Sequence, residues 1–182
     1  MKKNLVISSV AAIAALNPEG FTVNAANLQP VTTGYAGSIL KTASALKTQL
    51  DKYINNYNYV VIDNEAGLEH ISRGTLPHVD AMLLISDCSR RGIQAVGRIA
   101  EMIRELELKP GKMKLIVNRA PGGQLNPGVA EEIEKYGLEL IGVLPQDEQV
   151  YEYDCEGKPS SQVPESSPVK QALAGIMRKL NL

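Results

Sequence analysis

Apolar runs of strand length recur along this chain, and each ends in a polar residue or a proline. Tyr59-Val60-Val61-Ile62 runs into Asp63, Ala81-Met82-Leu83-Leu84-Ile85 into Ser86 and Asp87, Lys114–Val117 into Asn118, and Leu138–Leu144 into Pro145. A strand that is apolar on successive residues must be covered on both faces, as in a parallel sheet between two helix layers. The intervening segments supply the helices. Ser44–Asn56 carries Leu46, Leu50 and Ile54 at four-residue spacing. Glu69–Gly74 reads as a turn or short helix. Ser89 predicts a cap for a helix from about Arg91 to Leu106, with Ile93, Val96, Ile99, Ala100 and Ile103 inside and Lys109-Pro110-Gly111 as the stop. Further helical segments are Pro127–Tyr136, closed by Gly137, then Val150–Glu156, and Val169–Leu180 after a Ser/Pro loop. The pattern predicts an α/β fold, a doubly wound parallel sheet. Right-handed crossovers gather Asp63, Asp87, Asn118 and Pro145 on one sheet edge, where open α/β sheets bind ligands.

Composition narrows the function classes. The 182 residues are 44% hydrophobic with one Phe and no Trp, so the core must be aliphatic. A net charge of −1 gives no electrostatic case for nucleic acid or an anionic membrane. Cys88 and Cys155 form neither a disulfide framework nor a metal spacing, and His70 and His78 are too few for a metal site. A reduced, cytoplasmic setting is expected. Lys2-Lys3, the apolar run Leu5–Leu16 and Val23-Asn24-Ala25 have features of a secretory signal, but Asn17-Pro18-Glu19-Gly20 interrupts them. The expectation is an atypical N-terminal segment over 1–45 that stays attached, with a first strand near Leu5–Ser8 running into a short Ala-rich helix. A domain over 46–182 follows it.

Tyr59–Gly67 carries the chemistry. A buried strand delivers Asp63, and a short acidic turn with Glu65 and Gly67 follows. A P-loop NTPase builds its Walker B end in this way, bringing a carboxylate to Mg²⁺ and phosphate. Its partner, a Gly-rich loop ending in Gly-Lys-Ser/Thr, is missing from the sequence. Gly111-Lys112 is followed by Met113, and Gly157-Lys158 by Pro159. The chain thus carries half of a nucleotide-hydrolysis site. Taken alone, Asp63 also fits a cap of the next turn, and Asn118-Arg119 also fits a plain strand end. Arg90 and Arg91 fit either a solvated first helical turn or a phosphate or partner contact.

The run Tyr57–Thr75, with Asp63-Asn64-Glu65-Ala66-Gly67-Leu68-Glu69-His70, resembles the Walker B region of the CooC-type proteins. These are carbon monoxide dehydrogenase accessory ATPases, relatives of the MinD/ParA group. The likeness continues through Val79–Asp87, Ser89-Arg90-Arg91-Gly92, Ile116–Arg119, Gly142–Asp147 and Glu156–Pro159. It implies a P-loop NTPase-like domain, Mg-ATP as ligand, dimerisation, and a role in nickel insertion into carbon monoxide dehydrogenase or a related metalloenzyme. By resemblance Asp63 holds the Mg²⁺ shell and Glu65 lies beside the γ-phosphate. Asn118, with Arg119, contacts the base, and Pro145, Gln146 and Asp147 pack around adenine. The chain departs from the pattern twice. Ser9-Val10-Ala11-Ala12-Ile13-Ala14 stands where the phosphate loop belongs, and its Cβ atoms would block the backbone's approach to phosphate. The family's Cys-x-Cys pair is absent.

These features point to a CooC-like maturation factor, or a degraded relative, that does not hydrolyse ATP on its own. The alternatives are a non-catalytic interaction module on the same scaffold and a truncated or fused reading frame. A homo-oligomer or heteromer is expected. Either Leu5–Ser8 supplies a strand or a sheet edge stays open near Ala81–Ser86.

Overall fold

The computed structural model describes residues 79–181, the backbone of Lys3–Ser8, Thr22–Asn24 and Tyr59–Asn64, and the side chain of Val61. The helix read over 44–56, the turn over 69–74 and the Ala-rich segment lie outside the described residues. Strands β1 (Lys3–Ser8), β2 (Thr22–Asn24), β3 (Tyr59–Asn64), β4 (Ala81–Asp87), β5 (Lys112–Ala120) and β6 (Leu140–Pro145) form one sheet. Its order is β2-β3-β1-β4-β5-β6, with every pair parallel. The described helices are α1 (Arg90–Glu105), α2 (Pro127–Lys135), α3 (Glu148–Cys155) and α4 (Pro168–Leu180).

Of the two alternatives, a strand from Leu5–Ser8 or an open edge near Ala81–Ser86, the first holds. Ala81–Ser86 is no open edge, because β4 is paired on both sides. Leu5–Ser8 register with Ala81–Leu84, and Ala81–Asp87 register with Lys112–Asn118. The strand near Leu5–Ser8 is therefore real and lies in the middle of the sheet, between β3 and β4.

The continuous apolar character of β4 follows from its two covered faces. Met82 and Leu84 point to one side, where they meet Ile93, Val96, Ala100 and Ile103 of α1 and Val129 and Ile133 of α2. Ala81, Leu83 and Ile85 point to the other, where Leu173, Ile176 and Leu180 of α4 cover them. Of the inner-face residues expected on α1, Ile99 alone is only partly buried.

Lys109-Pro110-Gly111 does not end α1. The helix closes earlier, because Glu107 turns left-handed at φ 53°. The Leu108 amide then donates to the Ile103 carbonyl at 3.1 Å and the Glu107 amide to Arg104 at 3.0 Å. Helix α2 closes on the same pair of bonds with Gly137 at φ 58°. A side chain at such a position costs roughly 1–2 kcal/mol. Glu107→Gly is expected to raise stability by about 0.5–1 kcal/mol, after the extra chain entropy of glycine is subtracted. Urea midpoints would read this, and an unchanged or lower midpoint would mean that the Glu107 side chain offsets its strain. Gly111 serves the next strand instead. Its amide donates to the Val79 carbonyl at 2.9 Å, and pairing to β4 begins at Lys112, so β5 outruns the expected Lys114–Asn118.

Candidate functional site

Three loops leave the C-terminal edge of the described sheet after β4, β5 and β6. At the end of β4, the exposed Asp87 carboxylate accepts the Ser89 hydroxyl at 2.6 Å. Ser89 accepts the Gly92 amide at 3.0 Å and so caps α1, as its position in the sequence predicts. A methyl group at Gly92 would displace the Asp87 carboxylate and the Ser86 hydroxyl from these positions.

Asn118 stands level with Asp87 on the neighbouring strand. Beyond it β5 bulges: Asn118 and Arg119 together lie opposite the single residue Leu144 of β6. Such bulges recur beside active sites, where they re-aim side chains. Arg119 is exposed and left-handed at φ 54°, and its amide donates to Asn118 Oδ1 at 2.8 Å. That bond fixes the Asn118 amide group and leaves its NH₂ as the available donor. The loop continues through left-handed Gly122 and Gly123 to Asn126, whose side chain caps α2 by accepting the Val129 amide at 2.9 Å.

At the end of β6, Pro145 is level with Ala120, and the Gln146 amide donates to the Ala120 carbonyl at 2.9 Å. Gln146 is exposed. Both oxygens of Asp147 are engaged. Oδ1 accepts the Gln149 amide at 3.0 Å as the cap of α3, and Oδ2 accepts the hydroxyl of buried Ser167 at 2.6 Å. Ser167 is in turn the cap of α4. Burial pushes the Asp147 carboxyl up, but Ser167 and the amides of Gln149, Val169 and Val150 outweigh it and leave it below the usual carboxylate range.

Asp63 is the fifth residue of β3, level with Ile7 of β1 and Asn24 of β2. Its backbone thus approaches the same edge. Strand β1 separates β3 from β4, a spacing of roughly 10 Å. Glu65 and the segment after Ser8 lie outside the described residues. The structure therefore brings Asp87, Asn118, Arg119, Pro145 and Gln146 to one rim, with Asp63 approaching that rim from the far side of β1.

Arg90 is exposed in the first turn of α1, and its guanidinium is paired. Its Nη2 lies 2.9 Å from Oε1 of Glu132, a buried carboxylate on α2. The Arg90 guanidinium holds the Glu132 carboxyl below the usual range against the opposing effect of burial, with Gln94 and Lys135 adding to it. Sequence reasoning passed over Glu132 between Glu131 and Glu134. The available signal was its place three residues after Val129, on the inward stripe of α2.

The comparisons with known proteins join this geometry. No family model matches the sequence. A Methanocaldococcus jannaschii protein named as an ATP-binding protein is 37% identical over 139 residues, covering 74% of this chain and 53% of that one. The CooC accessory protein of Rhodospirillum rubrum is 26% identical over 146 residues, covering 77% of this chain and 54% of that one. Among solved structures, a ParA family ATPase from Chlorobium tepidum superposes with a TM-score of 0.66 at 17% identity, covering 99% of this chain and 85% of that one. MinD of Pyrococcus horikoshii, complexed with Mg-ADP, gives 0.64 at 13% identity, with 99% and 84% covered. The chain has the MinD/ParA-type P-loop NTPase fold. It is homologous to ATPases of that group, and it spans about half the length of the curated relatives it matches.

At this rim Asn118 offers a fixed NH₂ donor, and the bulge carries Arg119 with it to the surface. Asp63 belongs to the hard oxygen-ligand class that suits Mg²⁺. The Asp147 carboxylate caps α3 and holds the hydroxyl of Ser167, the cap of α4. For nickel, no group of three or more His, Cys, Asp or Glu side chains that could hold a metal exists among the described residues. Cys88 is half-buried, with its thiol 3.9 Å from the Gln124 carbonyl, and Cys155 is exposed at the end of α3. No described helix is long and apolar enough to cross a membrane.

Proposed function

We propose that this chain is a nucleotide-linked metallocluster-maturation factor of the CooC type, with Mg²⁺ held at Asp63 and the base at Asn118. The observation that carries this reading is the shared sheet edge: the Asp63 strand and the Asn118 bulge flank β1 and β4 on one rim, in a chain 37% identical to an ATP-binding protein. Asp63 and Glu65 are the reacting-end carboxylates. Arg119, Pro145 and Gln146 border the base, and Asp147 supports them by fixing α3 and α4. The likeness to the CooC accessory protein supports a metalloenzyme client such as carbon monoxide dehydrogenase, with nickel as cargo. Partnering follows the MinC:MinD complex among the similar structures, so a homo-oligomer or a heteromer is the working state.

Calorimetric titration with ATP, with and without Mg²⁺, tests the reading. ATP·Mg²⁺ is expected to bind, with affinity falling at least tenfold in EDTA or in Asp63→Ala, and severalfold in Asn118→Ala. Absence of binding by the unaltered chain would sink the nucleotide site. Turnover by the isolated chain is expected to be negligible. Each missing oxyanion-type donor costs about 2.7–4 kcal/mol, and no Gly-Lys-Ser/Thr cradle exists in the sequence.

That missing cradle favours a second reading, a non-catalytic interaction module on the same scaffold. It requires that the chain bind no nucleotide yet pair with a full-length relative.

A further inference from the structure

We infer that Arg90 and Glu132 form a latch that positions the loop from Asn118 to Asn126 at the rim. Neither residue touches the ligand in this arrangement; both are positioning residues. The inference rests on the reading of Asn118 as the base-side residue only for its effect on nucleotide. The latch itself stands on geometry.

The loop has little to hold it. Arg119, Gly122 and Gly123 are left-handed at φ 54°, 60° and 70°, so past the end of β5 the segment holds only a kinked 3₁₀ turn over Pro121–Gly123. The Gln146 amide ties Ala120 to β6, the Gln124 amide reaches the Pro121 carbonyl at 3.3 Å, the Gln124 carbonyl meets the Cys88 thiol at 3.9 Å, and Leu125 packs partly buried against the core under α1 and α2. Beyond that, the loop goes where α2 takes it, because Asn126 is the cap of α2. The position of α2 along α1 is set partly by an apolar contact, which is non-directional. The Arg90–Glu132 pair adds direction.

Arg90 leaves the first turn of α1, directly after the Ser89 cap. Its side chain crosses α2 at Gly128, where a Cβ would lie 3.4 Å from Arg90 Cδ and 3.6 Å from Nη1. It ends on Glu132 Oε1 at 2.9 Å. Glu132 is only 4% exposed, Oε2 has no hydrogen-bond partner, and Lys135 stands 3.7 Å from it. A carboxylate this buried cannot lose its guanidinium cheaply, since an uncompensated buried charge is strongly destabilising. Sliding α2 away from α1 would break that bond. The β4–α1 loop, with Asp87 and Ser89, and the β5–α2 loop, with Asn118, are thereby held in one register. A cation in the first turn of α1 opposes the helix dipole, which a purely solvated arginine would have no reason to do.

Amide hydrogen exchange on the ligand-free chain is the first arm of the test. Arg90→Met should accelerate exchange of amides between Arg119 and Val129 at least tenfold and leave those of α4 unchanged. Arg90→Lys should restore part of the protection. Acceleration spread evenly over 79–181, or none, overturns the latch. The second arm is the Kd for ATP·Mg²⁺, expected to rise at least fivefold in Arg90→Met and to recover partly in Arg90→Lys. Loosened exchange with an unchanged Kd overturns the positioning role. A parent chain that binds no ATP defeats the nucleotide reading, and the exchange arm then still decides the latch. Arg90 is 58% exposed at its side chain, so Arg90→Met opens no cavity, and its effect comes from Glu132 left without the guanidinium.

Discussion

Gly97→Ala is expected to lower stability by about 1–3 kcal/mol, the usual cost of overpacking a filled interface. Gly97 is buried on α1 against the ring of Tyr136, at the C-terminal end of α2. A methyl group there would lie 2.5 Å from Cγ of the ring and 2.6 and 2.7 Å from the two Cδ atoms. Cγ is next to the backbone, so the ring cannot swing clear without moving α2. The helix bears on the same core as Val129 and Ile133, so the displacement would propagate into the sheet face. For a domain of this size the melting temperature should fall by roughly 2–4 °C per kcal/mol. A variant that melts with the parent would show that α1 and α2 separate freely, and would also weaken the case for the latch. Tyr136→Ala in the Gly97→Ala background should recover less than the full loss, because it removes the clash and leaves a void.

Asp147→Ala is expected to cost about 2–3 kcal/mol, from one lost helix cap and one buried hydroxyl left without its acceptor. The carboxylate serves α3 through the Gln149 amide and α4 through Ser167, which is 1% exposed. Asp147→Asn keeps an acceptor oxygen and should cost less at neutral pH. The two variants differ in their acid behaviour as well. The folded-state carboxyl is held below its ordinary value, so its contribution is present above the unfolded value, about 3.9, and disappears as pH falls through the lower folded value. Urea midpoints between pH 7 and pH 3 should therefore decline more steeply for the parent than for Asp147→Asn. Parallel declines would mean that Asp147 contributes nothing by its charge.

The alternation of strands and helices from β3 onward was legible because each element carries its own signal. Apolar runs of four to six residues cannot be exposed on either face, and the inner stripe of α1 repeats at helical spacing. The Ser89 cap was legible because a cap is chemistry local to one turn. The end of α1 near Leu106 was legible to within a residue, but the left-handed turn that closes it was not, because nothing in Glu107 advertises one. The candidate site was legible in part. The gathering of Asp63, Asp87, Asn118 and Pro145 on one edge follows from strand direction alone. The bulge after Asn118 depends on how β5 is matched to β6, and no spacing within β5 reports that.

The sequence by itself determined the layers: parallel strands, helices on both faces, and polar strand ends collected on one edge. Periodicity and local capping decide these, and both are properties of consecutive residues. The tertiary structure alone decided where Leu5–Ser8 goes, since pairing between β1 and β4 joins residues more than seventy positions apart. It also decided that Asp147 fastens α3 to α4 through Ser167, twenty residues on. It decided, finally, which glutamate of α2 takes the Arg90 guanidinium. A buried charge must be compensated by whatever the fold brings within reach, and reach is a property of packing that no segment of the chain contains.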